Sequence, residues 1–285
     1  MKSAGAKVPI IIPFYKARAA LDRCLAHLQR QTYSNIDIFI RDNSQDNIYF
    51  TAAVNEGLRR YIMDPAVDYV GVLNQDAYLD PRAIELLVDF LDEHCEAGVA
   101  CPLQLDARGQ VSWGGSLRSW PMGMHRCDPL ESYRAPVETP WGNGAALLIR
   151  AETVREVGLL DSNMRLLCSD VDFTLSARAR GWRVFLVPEA RCEHTLNVSG
   201  AVKNLELEAI KIRDLLYFSR KWVSGGLYRA LAYEGPSLTD TIIRAEVSKL
   251  EMWIETIEGW LAAGYSEVEV VDGVVRPTLR SFESE

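Results

Sequence analysis

Short apolar runs alternate with amphipathic stretches over the first hundred residues. Lys7 to Pro13 reads Lys-Val-Pro-Ile-Ile-Ile-Pro, a β-branched run bounded by proline that predicts a buried strand. Ala17 to Gln31 follows with Leu21, Cys24, Leu25 and Leu28 at helical spacing. Ile36 to Ile40 predicts a second strand, ending in the polar turn Arg41-Asp42-Asn43-Ser44-Gln45-Asp46. Thr51 to Met63 predicts a helix, and Tyr69 to Leu73 a third strand that runs directly into Asn74-Gln75-Asp76. Asp80-Pro81 starts a helix through His94, with Pro81 in its first turn. Such strand–helix repeats predict an α/β fold, a mostly parallel central sheet flanked by helices on both faces. Ligands of these sheets bind beyond the carboxyl ends of the strands. The polar clusters after all three strands fall on that edge.

From Val99 to Pro140 the periodicity weakens and Gly, Pro and Trp accumulate, which predicts short strands and a long excursion, a wall for a second substrate. Trp141-Gly142-Asn143-Gly144 then leads into a strand, Ala145 to Arg150, and a helix, Glu152 to Val157, closed by Gly158. A further helix is expected from Asp170 to Arg180, stopped by Gly181, and a strand from Trp182 to Val187, ended by Pro188. Beyond Asn204 the pattern is helical: Leu205 to Trp222, a break at Gly225-Gly226, and Leu238 to Ala263. The second stretch carries Ile242, Ala245, Leu250, Trp253, Ile257 and Trp260 on one stripe, a packing face against the domain or against a second subunit in a homodimer. The expected division is an α/β domain over residues 1–203 and a helical C-terminal appendage over 204–285.

Composition narrows this picture. The chain has 285 residues, 48% apolar and 25% charged, as in ordinary globular proteins. Its net charge of −8 argues against nucleic acid as a partner. An anionic nucleotide ligand would need a local device, a metal ion or aligned N–H groups. The cysteines at 24, 95, 101, 127, 168 and 192 form no C-x-x-C pair, which suggests a reducing, cytoplasmic setting. Met1 to Lys7 lacks the apolar core of a signal peptide, and no run reaches the length of a membrane span. Any membrane contact would be peripheral, at the inner face.

The first strand is followed by Pro13-Phe14-Tyr15-Lys16-Ala17-Arg18, without the glycines of a dinucleotide fingerprint or a P-loop. Carboxylates stand at the strand ends instead. A divalent ion held by an Asp and by diphosphate oxygens neutralises a leaving diphosphate, and a second carboxylate can take the proton of an attacking hydroxyl.

Four blocks make a family resemblance specific. The first runs from Val8 to Asp46, with Ile12-Pro13-Phe14-Tyr15, then Leu21-x-x-Cys24-Leu25, Gln31-Thr32-Tyr33 and Asp42-Asn43-Ser44. It resembles the start of family 2 glycosyltransferases of the GT-A fold. Val72-Leu73-Asn74-Gln75-Asp76 is similar to the "LNxD" version of their D-x-D motif, familiar in rhamnosyltransferase-like members. Gly144 to Asp161 matches a third block, and Ser169-Asp170-Val171-Asp172 with Arg178-Ala179-Arg180-Gly181 resembles the catalytic "ED-x-D…R-x-x-G" segment. The blocks keep the family's order over residues 8–200.

The resemblance implies a GT-A nucleotide-diphospho-sugar transferase fold. In it Pro13, Tyr15 and Asp42 flank the nucleotide base, Asn74 faces the ribose or sugar, and Asp76 binds the metal. It further implies Asp170 as general base and His194 as completing a site for Mn2+ or Mg2+. The implied activity is an inverting, metal-dependent transfer of a hexose or deoxyhexose, such as rhamnose, from a nucleoside-diphosphate donor, in polysaccharide biosynthesis. The acceptor would be a saccharide, a lipid-linked saccharide or a small molecule. Trp141, with Asn143 beside it, offers a ring to stack on an acceptor sugar. Arg213, Arg220 and Lys221 form either a solvated helix face or an approach to a lipid phosphate or anionic membrane.

The chain also departs from the pattern, with Lys16 where Asn is common, Asn74 for Asp, and Ser169 for Glu. These keep open a catalytically silent nucleotide- or saccharide-binding module. A sugar-1-phosphate nucleotidyltransferase is a further alternative, although it normally needs a Gly-rich loop after the first strand. Asp42 and Asp76 also suit ordinary strand-end turns. Ser169-x-x-Asp172 reads as a capping box, which gives Asp172 a structural role.

Overall fold

The computed structural model describes residues 5–117, 124–194, 202–223, 240–271 and 274–278. The first five predicted elements are all present: β1 (Val8–Phe14), α1 (Arg18–Leu28), β2 (Ile36–Asp42), α2 (Tyr49–Tyr61) and β3 (Tyr69–Leu73). Successive strand residues point to opposite faces, and both faces of the inner strands are covered, so these strands are apolar throughout. In β1, Ile10 and Ile12 enter the core that includes Leu21 of α1, whereas Ile11 enters the core that includes Val54 and Leu58 of α2. Each such aliphatic side chain removed from water stabilises the fold by about 1.5–3 kcal/mol.

A short strand, β4 (Ala77–Leu79), and α3 (Ala83–Glu93) follow, with Pro81 just ahead of the helix rather than in its first turn. The excursion expected from Val99 begins instead with a nine-residue strand of the main sheet, β5 (Ala97–Leu105). Its Gly98 and Pro102 hide the strand signal. Short strands then follow as expected: β6 (Val111–Trp113), β7 (Ser116–Leu117), β8 (Met124–His125) and β9 (Val137–Glu138). Next come β10 (Ala146–Arg150), α4 (Ala151–Val157), α5 (Ser169–Arg178) and β11 (Arg183–His194). Gly158 and Gly181 end the two helices with φ of 94° and 93°, the left-handed region that favours glycine. Pro188 does not end β11. The pairing shifts from Val187↔Pro102 to Arg191↔Leu103, so Pro188 sits in a bulge, where its missing N–H is tolerated, and the strand continues to His194.

The main sheet has the order β2-β1-β3-β10-β5-β11-β4, with β6 on β5 and β9 on β11. β1 is parallel to β2 and β3, and β5 to β11; β10 runs antiparallel between β3 and β5. That reversed strand lays its entry beside the end of β3, where the Asn74 N–H donates to the Ala145 carbonyl at 2.8 Å.

The capping box is absent. Cys168 precedes α5 with φ 68°, and Ser169, the first helical residue, accepts a 2.8 Å hydrogen bond from Thr51 Oγ1 instead. Asp172 is structural for another reason: its carboxylate is buried against Trp222 and Lys221.

The C-terminal part is mostly helical, with α6 (Leu205–Val223) and α7 (Asp240–Ala262), and a small sheet of β12 (Val202–Asn204), β13 (Glu267–Val271) and β14 (Val274–Thr278). It is not separate throughout: Phe218 and Trp222 of α6 join the core beneath β3, β5 and β10. Ile257 and Trp260 pack in a smaller cluster with Leu205 and Ala209, whereas Trp253 is exposed. Gly225-Gly226 and Leu238 lie outside the described residues, as do the side chains of Ile242 and Ala245. The basic residues of α6 are paired, Arg213 with Glu258, Arg220 with Glu251, and Lys221 with Asp161 and Asp172. These pairs join α6 to α7 and to the segments that carry Asp161 and Asp172. No helix among the described residues is long and apolar enough to cross one. All six cysteines are free thiols.

Candidate active site

A cavity of about 370 Å³ opens at the carboxyl ends of the strands, within the size range of small-molecule sites. Asn74, Trp141, Asn143, Asp170 and His194 all line it, with Phe50 and His125. Five residues from four separate stretches of sequence are thus brought together. Pro13, Tyr15 and Asp42 are not in this lining. They stand at the carboxyl ends of β1 and β2, the strands that follow β3 outward in the sheet, Tyr15 exposed and Asp42 closing an Asx turn onto the Ser44 N–H at 2.8 Å. Hydrogen bonding by the Ser44 hydroxyl, and then by its N–H, holds the Asp42 carboxyl below its usual value.

Gln75 ties the two sides together. Its Oε1 accepts from the Tyr15 N–H at 2.6 Å and its Nε2 donates to the Tyr15 carbonyl at 3.2 Å. The middle residue of Asn74-Gln75-Asp76 therefore fixes the turn after β1.

Asp170 stands in the first turn of α5, where the helix dipole favours a carboxylate. Its Oδ2 accepts from the Gly144 N–H at 2.7 Å and its Oδ1 from the Val171 N–H at 2.9 Å. Burial raises its pKa above the usual 3.8, against the pull of those N–H groups and of His125. A raised value makes the ionised carboxylate a stronger proton acceptor.

Asp76 Oδ1 lies 3.7 Å from His194 Nε2. Burial pushes the His194 pKa down, nearby His125 adds to this, and Asp76 opposes it, which favours a neutral ring. His194 Nδ1 meets Gln104 Oε1 at 3.3 Å. With that oxygen as acceptor, Nδ1 carries the proton and Nε2 keeps its lone pair toward Asp76. Two donors about 2.1 Å from one ion are about 3.0 Å apart when adjacent and about 4.2 Å apart when opposite; the 3.7 Å observed falls between these, so a shift of about 0.5 Å would bring the pair onto one divalent ion. No cluster of three or more His, Cys, Asp or Glu suited to a metal occurs among the described residues. Most coordination positions would thus fall to substrate oxygens and water.

Trp141 lines the cavity but is only 7% exposed, packed against Trp113 and His125 at centroid distances of 6.3 and 5.8 Å. Most of its ring is packed, and the remainder borders the cavity. Asn143 uses its Oδ1 to accept the Ala145 N–H at 2.9 Å and shapes the entry to β10.

His125 was missed by sequence reasoning. It lies on β8, with Nδ1 3.1 Å from the Ser112 carbonyl, so Nδ1 bears the proton. Nothing local marks it; the only signal was the expectation that this excursion walls a second substrate. A larger depression of about 660 Å³ near Ile62, Met63 and Arg155 sits by the end of α2, away from these groups.

A mostly parallel sheet flanked by helices, built in this way, is the GT-A fold. A profile of the glycosyltransferase-like family 2 matches residues 47–209, and the chain belongs to that family. Its fold is similar to that of TarS from S. aureus, at 11% identity and a TM-score of 0.53, covering 87% of this chain and 42% of TarS. It is also similar to GalNAc-T7 in a crystal structure with UDP, GalNAc and Mn2+, at 14% identity and a TM-score of 0.54, covering 86% of this chain and 55% of that one. At such identities the likeness is one of fold, and the chain spans about half the length of these two proteins. No curated protein matches it in sequence.

Proposed function

We propose that the chain is an inverting glycosyltransferase that moves a hexose or deoxyhexose from a nucleoside-diphosphate donor to a hydroxyl of a saccharide, lipid-linked or small-molecule acceptor. One observation carries this reading: the Asp170 carboxylate, Asn74 and His194 open on one cavity, with Asp76 at its edge. The GT-A neighbour that contains UDP, GalNAc and Mn2+ supports the donor class and the ion.

Asp76 and His194 would hold the divalent ion, which when bound offsets the charge of the leaving diphosphate. Tyr15, held by Gln75, and Asp42 border the nucleotide, and Asn74 hydrogen-bonds the ribose or sugar. Asp170 takes the proton of the acceptor hydroxyl as its oxygen attacks the anomeric carbon. The bond from that carbon to the diphosphate breaks with its electron pair, and the nucleoside diphosphate departs. Attack opposite the leaving group inverts the anomeric centre. Ser169, turned onto Thr51, leaves Asp170 as the carboxylate of its segment that faces the cavity.

The test is a thermal-shift screen of UDP-, dTDP- and GDP-sugars with Mn2+, followed by nucleoside-diphosphate release with candidate acceptors and NMR of the product anomer. Donor binding without release by any acceptor would favour the silent module. Unchanged metal-dependent turnover in Asp76→Ala would remove the metal assignment, and full transfer by Asp170→Asn would remove the base.

A further inference from the structure

α6 lies outside the motif blocks, yet it grips the segment that carries Asp170 on both sides. Upstream, Asp214 of α6 is 2% exposed and accepts three backbone N–H groups: Arg165 at 3.0 Å on Oδ1, and Leu166 at 2.6 Å and Leu167 at 2.8 Å on Oδ2. A buried carboxylate satisfied by several N–H groups is a strong, charge-assisted anchor. Leu166 and Leu167 line the same cavity as Asp170, three residues further on. Downstream, Asp172 is 3% exposed and accepts from Trp222 Nε1 at 2.8 Å, while Lys221 Nζ lies 2.8 Å from its Oδ1. Between these two grips sits Cys168, with φ 68°, a conformation that non-glycine residues adopt only when their surroundings impose it. On its other side the turn is met by α2, where the Thr51 N–H donates to the Arg165 carbonyl at 3.1 Å.

We propose that Asp214 is a positioning residue for the transfer step: by fixing the turn at 165–167 it sets where the Asp170 carboxylate stands in the cavity. The role in turnover rests on the reading of Asp170 as proton acceptor. The C-terminal segment thereby completes the catalytic unit rather than merely extending it. The donor groups Asn74, Gln75 and Asp76 belong to the β3 end, whereas the Asp214 hydrogen bonds go to residues 165–167, so loss of the clamp should act on the chemical step and not on donor binding.

Two readouts test this in the full chain, one of them independent of activity. In Asp214→Asn, one oxygen that accepts N–H groups becomes an amide that cannot accept them. Amide exchange followed by NMR should accelerate by ~10-fold or more at Leu166 and Leu167. It should also accelerate at Gly144, whose N–H bonds Asp170 Oδ2 and does not touch Asp214. Unchanged protection at Gly144 alongside faster exchange at Leu166 and Leu167 would overturn the proposal, because the clamp would then stop short of Asp170. In turnover, kcat should drop ~10-fold or more with the donor KM within ~2-fold. A rise in donor KM with kcat intact would also overturn it. Glu251→Ala, which removes the exposed pair with Arg220 between α6 and α7, should change neither readout. Should Asp214→Asn not fold, Asp214→Glu keeps the charge, displaces it by one methylene and carries the same readouts. If the wild type transfers no sugar, the functional reading fails by itself, and the Gly144 exchange still decides the clamp.

Discussion

Adding one methyl group at Gly144 should cripple the site without touching any charged group. A Cβ there would lie 2.9 Å from Asp170 Oδ2, 3.0 Å from Asp170 Cβ and 3.1 Å from Phe50 Cζ. Carbon contacts are comfortable at about 3.5–4.0 Å, so about half an ångström must be found. The backbone is not strained, since Gly144 is absent from the positive-φ glycines. The Phe50 ring tip can swing, but Asp170 Cβ is fixed to the start of α5. Rotation of Asp170 moves Oδ2 but not Cβ, so the backbone at Gly144 or at the start of α5 must shift as well; the off-rotamer side chain costs about 0.5–1.5 kcal/mol and loss of the Gly144 N–H bond about 1.5–3 kcal/mol. Together these two contributions lower stability by about 2–4.5 kcal/mol. Displacement of a reacting group by about 1 Å can reduce turnover about 100-fold. The assay is nucleoside-diphosphate release at saturating donor and acceptor, beside calorimetric melting. Gly142→Ala is the control, because its Cβ would press Cys101 Sγ at 2.9 Å and Thr174 Cγ2 at 3.4 Å rather than the Asp170 carboxylate. It should lose stability with a much smaller loss of kcat. Wild-type kcat and melting in Gly144→Ala would refute the reasoning, as would equal loss of kcat in both variants.

The raised pKa of Asp170 has a stability consequence with a definite sign. A raised carboxyl stabilises the fold below its ordinary value and loses that contribution as pH rises through the folded value. The melting temperature of Asp170→Asn minus that of wild type should therefore grow from about pH 4 to about pH 7, whatever its offset, and a flat difference would contradict the assignment. His194→Ala should weaken Mn2+-dependent donor binding about 10- to 100-fold, and Gln104→Leu should follow it in the same direction, read by calorimetry with and without the ion. Lys221→Met leaves the buried Asp172 carboxylate with Trp222 Nε1 and should cost about 1–3 kcal/mol by chemical denaturation, the outer part of the Lys221 side chain being solvated.

The local pattern carried much of the fold. The runs Ile10-Ile11-Ile12 and Val70-Gly71-Val72 are apolar on both faces, a pattern that suits a covered strand, and Gly158 and Gly181 stop their helices for backbone reasons that any sequence displays. The strand-end position of Asn74-Gln75-Asp76 and the order of the motif blocks were legible in the same way. Pairing was not. β10 looks like any other apolar strand, and only the sheet shows that it runs backwards between β3 and β5, which sets Gly144 against Asp170 and Asn74 beside Ala145. The sequence pattern ends this strand at Pro188, whereas β11 continues to His194, because a bulge is a property of two strands together. Ser169-x-x-Asp172 fits a capping box by spacing, yet Thr51 and Trp222, distant along the chain, take both side chains. The sequence by itself determined which residues could do chemistry and which edge of the sheet they would reach, because propensity and periodicity are local. Only the tertiary structure brought His125 to the cavity, tied Gln75 to the turn after β1, set Asp214 against the backbone at 165–167 and packed most of Trp141, because those facts depend on contacts between residues far apart in the chain.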